Sequence, residues 1–185
     1  MQVGTLIFQS IKPKAEFDVA VTQSGNTPTV DKIIDNINHV GLYIGNDQVI
    51  EASHQKGVVI TPLPAFLAVA TYNVAATIKQ SDLLDCAIAR AKTKLGLPYN
   101  HSFYPNDKGL YCSQLITHCF LYKNGRRYFN QYPMKFNDAA TGDVIPYWVT
   151  YYQALNLPIP QGLSGSHPQQ LLRQISLFKT EALLL

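Results

Sequence analysis

The chain has 185 residues, of which 46% are hydrophobic and 15% charged, with a formal net charge of +3. That length suits one domain over residues 1–185 with a substantial core, and the composition excludes a disordered chain, which needs low hydrophobicity and high net charge. So small a positive excess gives no footprint for nucleic acid, and the tightest basic cluster, Lys123, Arg126 and Arg127, reads as a solvated loop.

The chain opens with a compact apolar run around Leu6, Ile7 and Phe8, which predicts a strand over Val3–Gln9. Phe17–Thr22 fits either a helix or a strand, and Ser24–Thr29 is a loop by composition. His39–Ile44 and Val49–Ser53 are strands joined through Gly45, Asn46 and Asp47, a hairpin signature. Val58–Leu63 continues the sheet, Ala65–Ala70 suits a short helix, and Asn73–Lys79 is a further strand. Ser81–Leu95 is the clearest helix: Ser81 can cap it, Asp82 and Asp85 favour its first turn, and Gly96 and Pro98 end it. A second helix is expected over Tyr111–Lys123, with Cys112, Leu115, Ile116 and Cys119 on one face. Pro158–Pro168 reads as an irregular loop. A strand meander beside segregated helices predicts an α+β fold.

The longest uncharged stretch, Gly57–Ile78, is broken by Pro62 and Pro64 and reads as strand, helix, strand; no transmembrane segment is expected. The N-terminus lacks a basic segment followed by an apolar core. The sequence as it stands therefore reads as cytoplasmic, or as a cell-envelope protein if a leader has been removed. Oligomeric state is left open.

Cys112 enters at the first turn of its helix, after a glycine-containing loop. Free N–H groups and the helix dipole there stabilise a thiolate, and the same N–H groups can bind an oxyanion. No Asp or Glu falls between Lys108 and Lys123 to oppose that field. Cys86 and Cys119 sit mid-helix, and Cys119 lies about 10 Å along the helix from Cys112, too far to bridge. A nucleophilic cysteine needs a base and a group that orients the base. His39 opens a strand, with His39, Gly41 and Tyr43 on one face, and Gly41 is expected to leave open space beside the imidazole. Glu51 stands in the returning strand between Ile50 and Ala52, where an acid needs a partner. A three-residue loop, or a compensating bulge, puts Gly41 opposite Glu51 and makes His39 and Glu51 diagonal neighbours; a plain two-residue loop puts them on opposite faces. The Cys112 helix is then expected to cross that face with its N-terminus over His39. Among the other histidines, His54 reads as a surface residue, His101 as a candidate to line a site, and His118 and His167 as uninvolved. No His-x-x-x-His, Cys-x-x-Cys or Gly-x-Ser-x-Gly spacing occurs, so neither a metal site nor a serine hydrolase elbow is expected.

In order, Gly4–Phe8, His39–Gly45, Val49–Ala52, Leu95–Tyr99 and Tyr111–Leu115 resemble the permuted papain-like amidases, the YiiX-like branch of the NlpC-type cysteine peptidase superfamily. In that branch the histidine precedes the cysteine. The resemblance covers roughly residues 4–120 and implies a circularly permuted papain-like fold. It implies Cys112 as nucleophile, His39 as base and Glu51 as the residue orienting it. It also implies Tyr99 at the oxyanion site, with Tyr111 as a further candidate there; Ser113, Tyr43 and His101 are additional oxyanion or substrate-binding candidates by position. The implied reaction is cofactor-free hydrolysis of a peptide or N-acyl amide through a thioester. Lipid acyl transfer or ester hydrolysis is the alternative, because lecithin retinol acyltransferase-like proteins share the His-before-Cys order, although their Asn-Cys-Glu-His motif is missing here. A binding protein on the same scaffold is the third reading. Two positions depart from the pattern: Thr5 stands where Asp is common, and Gln114 where Glu often follows Cys-Ser. The late loop Gln161–Pro168 is expected to wall the cleft beside the Cys112 helix.

Overall fold

The computed structural model describes residues 1–13, 15–25, 32–179 and 183–184. The elements run β1 (Leu6–Ile11), α1 (Glu16–Gly25), α2 (Lys32–Asp35), β2 (His39–Gly45), β3 (Gln48–Ser53), β4 (Gly57–Pro62), α3 (Leu63–Ala68), β5 (Ala70–Ala76), α4 (Leu84–Lys92), α5 (Cys112–Cys119), β6 (Tyr132–Pro133), α6 (Pro146–Leu155), β7 (Ser164–Gly165), α7 (Pro168–Leu172) and β8 (Leu183–Leu184). Positions 26–29 of the expected Ser24–Thr29 loop lie outside the described residues; the ambiguous segment before them is helical.

The antiparallel sheet has the order β4-β3-β2-β1-β5-β8, with β6 and β7 paired apart from it. The α+β expectation holds. Strand alternation divides the apolar side chains. Leu6, Phe8, Val40, Leu42, Ile50 and Ala52 pack with Ala87, Ala91, Leu115, Ile116 and Cys119 of α4 and α5. Ile7, Tyr43 and Val49 face the other way, against Phe66 of α3. A separate aromatic core of Phe17, Phe136, Ile145, Trp148 and Tyr152 joins α1 to α6.

Both expected long helices are shorter than their apolar periodicity. Ser81–Leu83 forms a 3₁₀ turn before α4 with no side-chain cap, and α4 ends at Lys92, where Thr93 donates back to the Arg90 carbonyl. Helix α5 stops at Cys119 because Phe120 leaves helical geometry (ψ 84°). Arg90 of α4 donates to the carbonyls of Cys119 and Leu121 at 3.0 and 3.1 Å, satisfying the end of α5. That partner is distant in sequence, so local periodicity gives no sign of it. The region after Gly142, rich in aromatics, prolines and glycines, supplies α6 and α7, each with proline in its first turn. No helix among the described residues is long and apolar enough to cross a membrane.

Candidate active site

The β2–β3 hairpin sets the first pair of polar groups. Asn46 and Asp47 both take positive φ (51° and 52°), the geometry of a tight two-residue turn that these two residue types tolerate. Such a turn alone would put His39 and Glu51 on opposite faces. The ladder slips by one residue between Tyr43 and Gly45, and beyond that bulge Tyr43 faces Val49 and Gly41 faces Glu51. His39 and Glu51 thus share a face, and His39 Nε2 lies 2.7 Å from Glu51 Oε2. Both side chains are 13% exposed.

The space beside His39 is filled, contrary to expectation. A Cβ on Gly41 would come within 2.7 Å of the Phe66 ring, and Phe66 lies 5.7 Å from the His39 ring. Glycine here admits the aromatic ring that covers the imidazole.

Cys112 is the first residue of α5 and is buried. The body of α5 packs on the Val40 and Ile50 face, the face opposite to the one carrying His39 and Phe66, which corrects the expected crossing. Only the N-terminus reaches the imidazole, where Cys112 stands near enough to His39 to favour its protonated form. Glu51 occupies Nε2, so Nδ1 is the nitrogen left for sulfur. Burial works against the imidazolium, but the contacts with Cys112 and Glu51 outweigh it and raise His39 to about 10. Burial likewise works against the Glu51 carboxylate, and His39, Thr61 and Lys56 overcome it, so its pKa falls below the ordinary value. Glu51 Oε1 accepts a 2.5 Å hydrogen bond from Thr61 Oγ1, a residue the sequence did not single out.

Side-chain amides hold the helix that Cys112 opens. Gln114 Oε1 accepts from the Tyr111 N–H (3.3 Å) and from Asn100 Nδ2 (3.1 Å). Asn100 is fully buried and also donates to the Tyr104 carbonyl. At Gly109 a Cβ would meet Pro98 O at 2.6 Å, so only glycine lets this strand of loop lie against Pro98–Asn100. That approach brings Tyr99 into the cleft with Cys112, near enough that a thiolate charge helps burial hold the phenol protonated.

Tyr111 and Ser113 line the same cleft, and both bond to the late loop. The Ser166 N–H donates to Tyr111 Oη at 3.1 Å, and Ser166 Oγ to Ser113 Oγ at 3.1 Å. Ser166, His167 and Pro168 line the cleft, so this loop walls it as expected. His167 itself caps α7 and contacts the Val21 carbonyl; burial pushes it down to about 4, which keeps it neutral. Tyr43 is not brought to the cleft: it packs with Ile7, Val49 and Phe66. His101 stands behind the lining, 5.0 Å from the Tyr99 ring and 4.9 Å from His54. His54 is exposed, as expected, but also lines the cleft and lies 4.3 Å from Phe17. All three cysteines are free thiols.

A family model described as permuted papain-like amidase enzyme, YaeF/YiiX, C92 family, matches residues 1–179. A crystal structure described as metalloprotein yiiX from Escherichia coli O157:H7 superposes with a TM-score of 0.68 at 20% identity, covering 100% of this chain and 96% of that one. At that identity the likeness bears on the fold. No curated protein matches the chain.

Proposed function

This chain belongs to the permuted papain-like amidase family, a family of papain-like cysteine hydrolases, and from that premise we propose that it hydrolyses amides through Cys112, His39 and Glu51. The observation that carries the reading is one imidazole contacting two partners. His39 meets Glu51 at 2.7 Å, and the thiol at the N-terminus of α5 stands near enough to favour its protonated form. An imidazole raised to about 10 stays protonated through neutral pH, as the counter-ion of a thiolate must.

The Cys112 thiolate adds to the amide carbonyl carbon, and the electron pair of the C=O bond moves to oxygen. The first N–H of α5 has no helical acceptor and can receive that oxyanion, with the Tyr99 hydroxyl as second donor. The tetrahedral centre collapses as protonated His39 gives its proton to the leaving nitrogen. The C–N bond breaks, the amine departs and a thioester remains. Neutral His39 then takes a proton from water, hydroxide adds to the thioester, and the C–S bond breaks to restore thiolate and imidazolium. Glu51 holds the ring in the orientation that both steps need.

A resident metal does not fit these residues. Among those described, no three His, Cys, Asp or Glu side chains converge as ligands, so no step is routed through one. The acyl and amine portions of the substrate fall in a cleft of about 570 Å³, a size that suits a peptide or an N-acyl amide.

The test is product analysis on a panel of peptides and N-acyl amides with the native chain and Cys112→Ala. Free acid and amine in equal amounts, lost in the variant, support hydrolysis. Transfer of the acyl group to an added alcohol without acid release would favour acyl transfer instead. Iodoacetamide at neutral pH is expected to modify Cys112 before the exposed Cys86. Buried Cys119, whose thiol burial raises to about 12, is expected last.

A further inference from the structure

The ladder that aligns His39 with Glu51 extends one strand further. Across β3 and β4, Glu51 faces Val59 and Val49 faces Thr61. Thr61 is therefore the diagonal neighbour of Glu51, as Glu51 is of His39 across β2 and β3. Three adjacent strands put one polar side chain each on the same face. Glu51 spends one oxygen on each neighbour, Oε2 on His39 and Oε1 on Thr61. The outer strand is itself fixed. The Val58 N–H donates to the Leu97 carbonyl at 2.8 Å, and the Val58 carbonyl accepts from the Gly96 N–H at 2.9 Å.

We infer that Thr61 is a positioning residue for the thiol–imidazole pair, acting through Glu51. The inference rests on the proposed roles of His39 and Glu51. A carboxylate held at one oxygen can turn about its terminal torsion, which is broad and roughly two-fold. A hydroxyl bound to the second oxygen fixes the carboxylate plane and so the direction of Oε2. The Thr61 hydroxyl, donating to Oε1, also favours the charged form of Glu51 and so keeps that charge available to the imidazolium. The charged and titratable neighbours are few: His39 and Lys56 act on Glu51, and Glu51 and Cys112 act on His39. None of them reproduces the contact to Oε1.

The test compares the native chain with Thr61→Val, which keeps the shape and removes the hydroxyl, and Thr61→Ser, which keeps the hydroxyl. The probe is iodoacetamide, and its rate of Cys112 alkylation is followed from about pH 4 to about pH 12, across the His39 midpoint of about 10, beside the NMR titration of the His39 ring. Thr61→Val is expected to lower the His39 midpoint and narrow the pH range of fast alkylation. It should slow alkylation near neutrality about tenfold, the scale of a lost hydrogen bond to a charged group. Thr61→Ser is expected to restore both. A Thr61→Val profile superimposable on the native one would overturn the inference, as would a Thr61→Ser variant as impaired as Thr61→Val. Because the probe requires no substrate, these outcomes do not depend on whether the enzyme is an amidase. Failure of the amidase reading shows separately, as acyl transfer without release of free acid or as turnover that survives Cys112→Ala.

Discussion

The two walls of the cleft are built by different means. One is the ladder β2-β3-β4, where backbone pairing alone decides that His39, Glu51 and Thr61 share a face. The other is the loop and helix wall around Cys112, where side chains do the positioning. Gln114 and Asn100 tie the helix to the preceding loop, and Ser166 ties Tyr111 and Ser113 to the late loop. Behind that wall, Tyr151 and Tyr152 of α6 donate to the carbonyls of His101 and Ser102 at 2.8 and 2.9 Å. A ladder is redundant, since each register position is supported by its neighbours. A wall of single hydrogen bonds is not, so there each point change acts according to the bonds it removes.

The largest expected effects lie where the walls meet. Cys112→Ala should abolish turnover with the far-ultraviolet circular dichroism unchanged, because a small buried residue replaces another. His39→Ala should reduce kcat/KM by roughly a thousandfold, and Glu51→Gln by less, since the amide still accepts a hydrogen bond from the ring. Equal losses in the last two would mean that the charge of Glu51 matters as much as the base itself.

Next in size is the loop wall. Asn100→Ala removes the donor to Gln114 Oε1 and to the Tyr104 carbonyl from a fully buried position. Gln114 Oε1 keeps the Tyr111 N–H and the Tyr104 carbonyl keeps the Asp107 N–H, so each lost bond costs about 0.5–1.5 kcal/mol. The expected result is a lower denaturation midpoint together with a fall in kcat, because Tyr99 and Cys112 sit on the two segments that this amide joins. A stability loss with kcat unchanged would show that the clamp serves folding alone.

The contrast also explains what the sequence disclosed. Strand alternation and the order of five short motifs point to His39, Glu51 and Cys112 from the sequence alone. The hairpin needed an odd loop or a bulge, and the bulge beyond Tyr43 is what the chain uses. Thr61 obeys the same alternation but carries no sign of its partner, because nothing in Val58–Leu63 states how that strand registers on β3. Asn100, Phe66 and Arg90 were illegible for a different reason: each acts on a residue far away in the chain. The length of α5 failed on the same ground, its end being set by Arg90. Tyr43 shows the limit of face arguments. It shares the face of His39, yet Phe66 covers it.

On the ladder the pH dependence has a definite sign. The pKa of Glu51 is lower folded than unfolded, so its contribution to stability is present above its ordinary value near 4.5 and is lost as the pH falls through the depressed folded value. Thermal midpoints of the native chain should therefore drop on acidification below about 4.5, and those of Glu51→Gln should drop less. Parallel curves for the two would assign the acid loss to other carboxylates.

The smallest effect is expected at Ser166, and it separates the wall's two attachments. Ser166 makes two contacts with the residues flanking Cys112: its N–H binds Tyr111 Oη, and its hydroxyl donates to Ser113 Oγ. Ser166→Ala deletes only the second. The Ser113 hydroxyl keeps its own freedom to rotate, and the Tyr111 contact survives because it uses the backbone. A net contribution of about 0.5–1.5 kcal/mol is what a neutral hydrogen bond of this kind makes to stability. The loop itself should stay in place, pinned as well by His167 to the Val21 carbonyl and by Gln169 to the Asp35 carbonyl. The expected outcome is a small fall in thermal midpoint and kcat/KM within about threefold of native. Any loss of rate should lie in KM, since this residue lines the cleft and lies outside the thiol–imidazole pair. A large fall in kcat would mean that the Ser113 hydroxyl, not the backbone of Ser166, holds the N-terminus of α5 against the loop. The loop wall would then depend on a single side-chain bond at the point closest to Cys112.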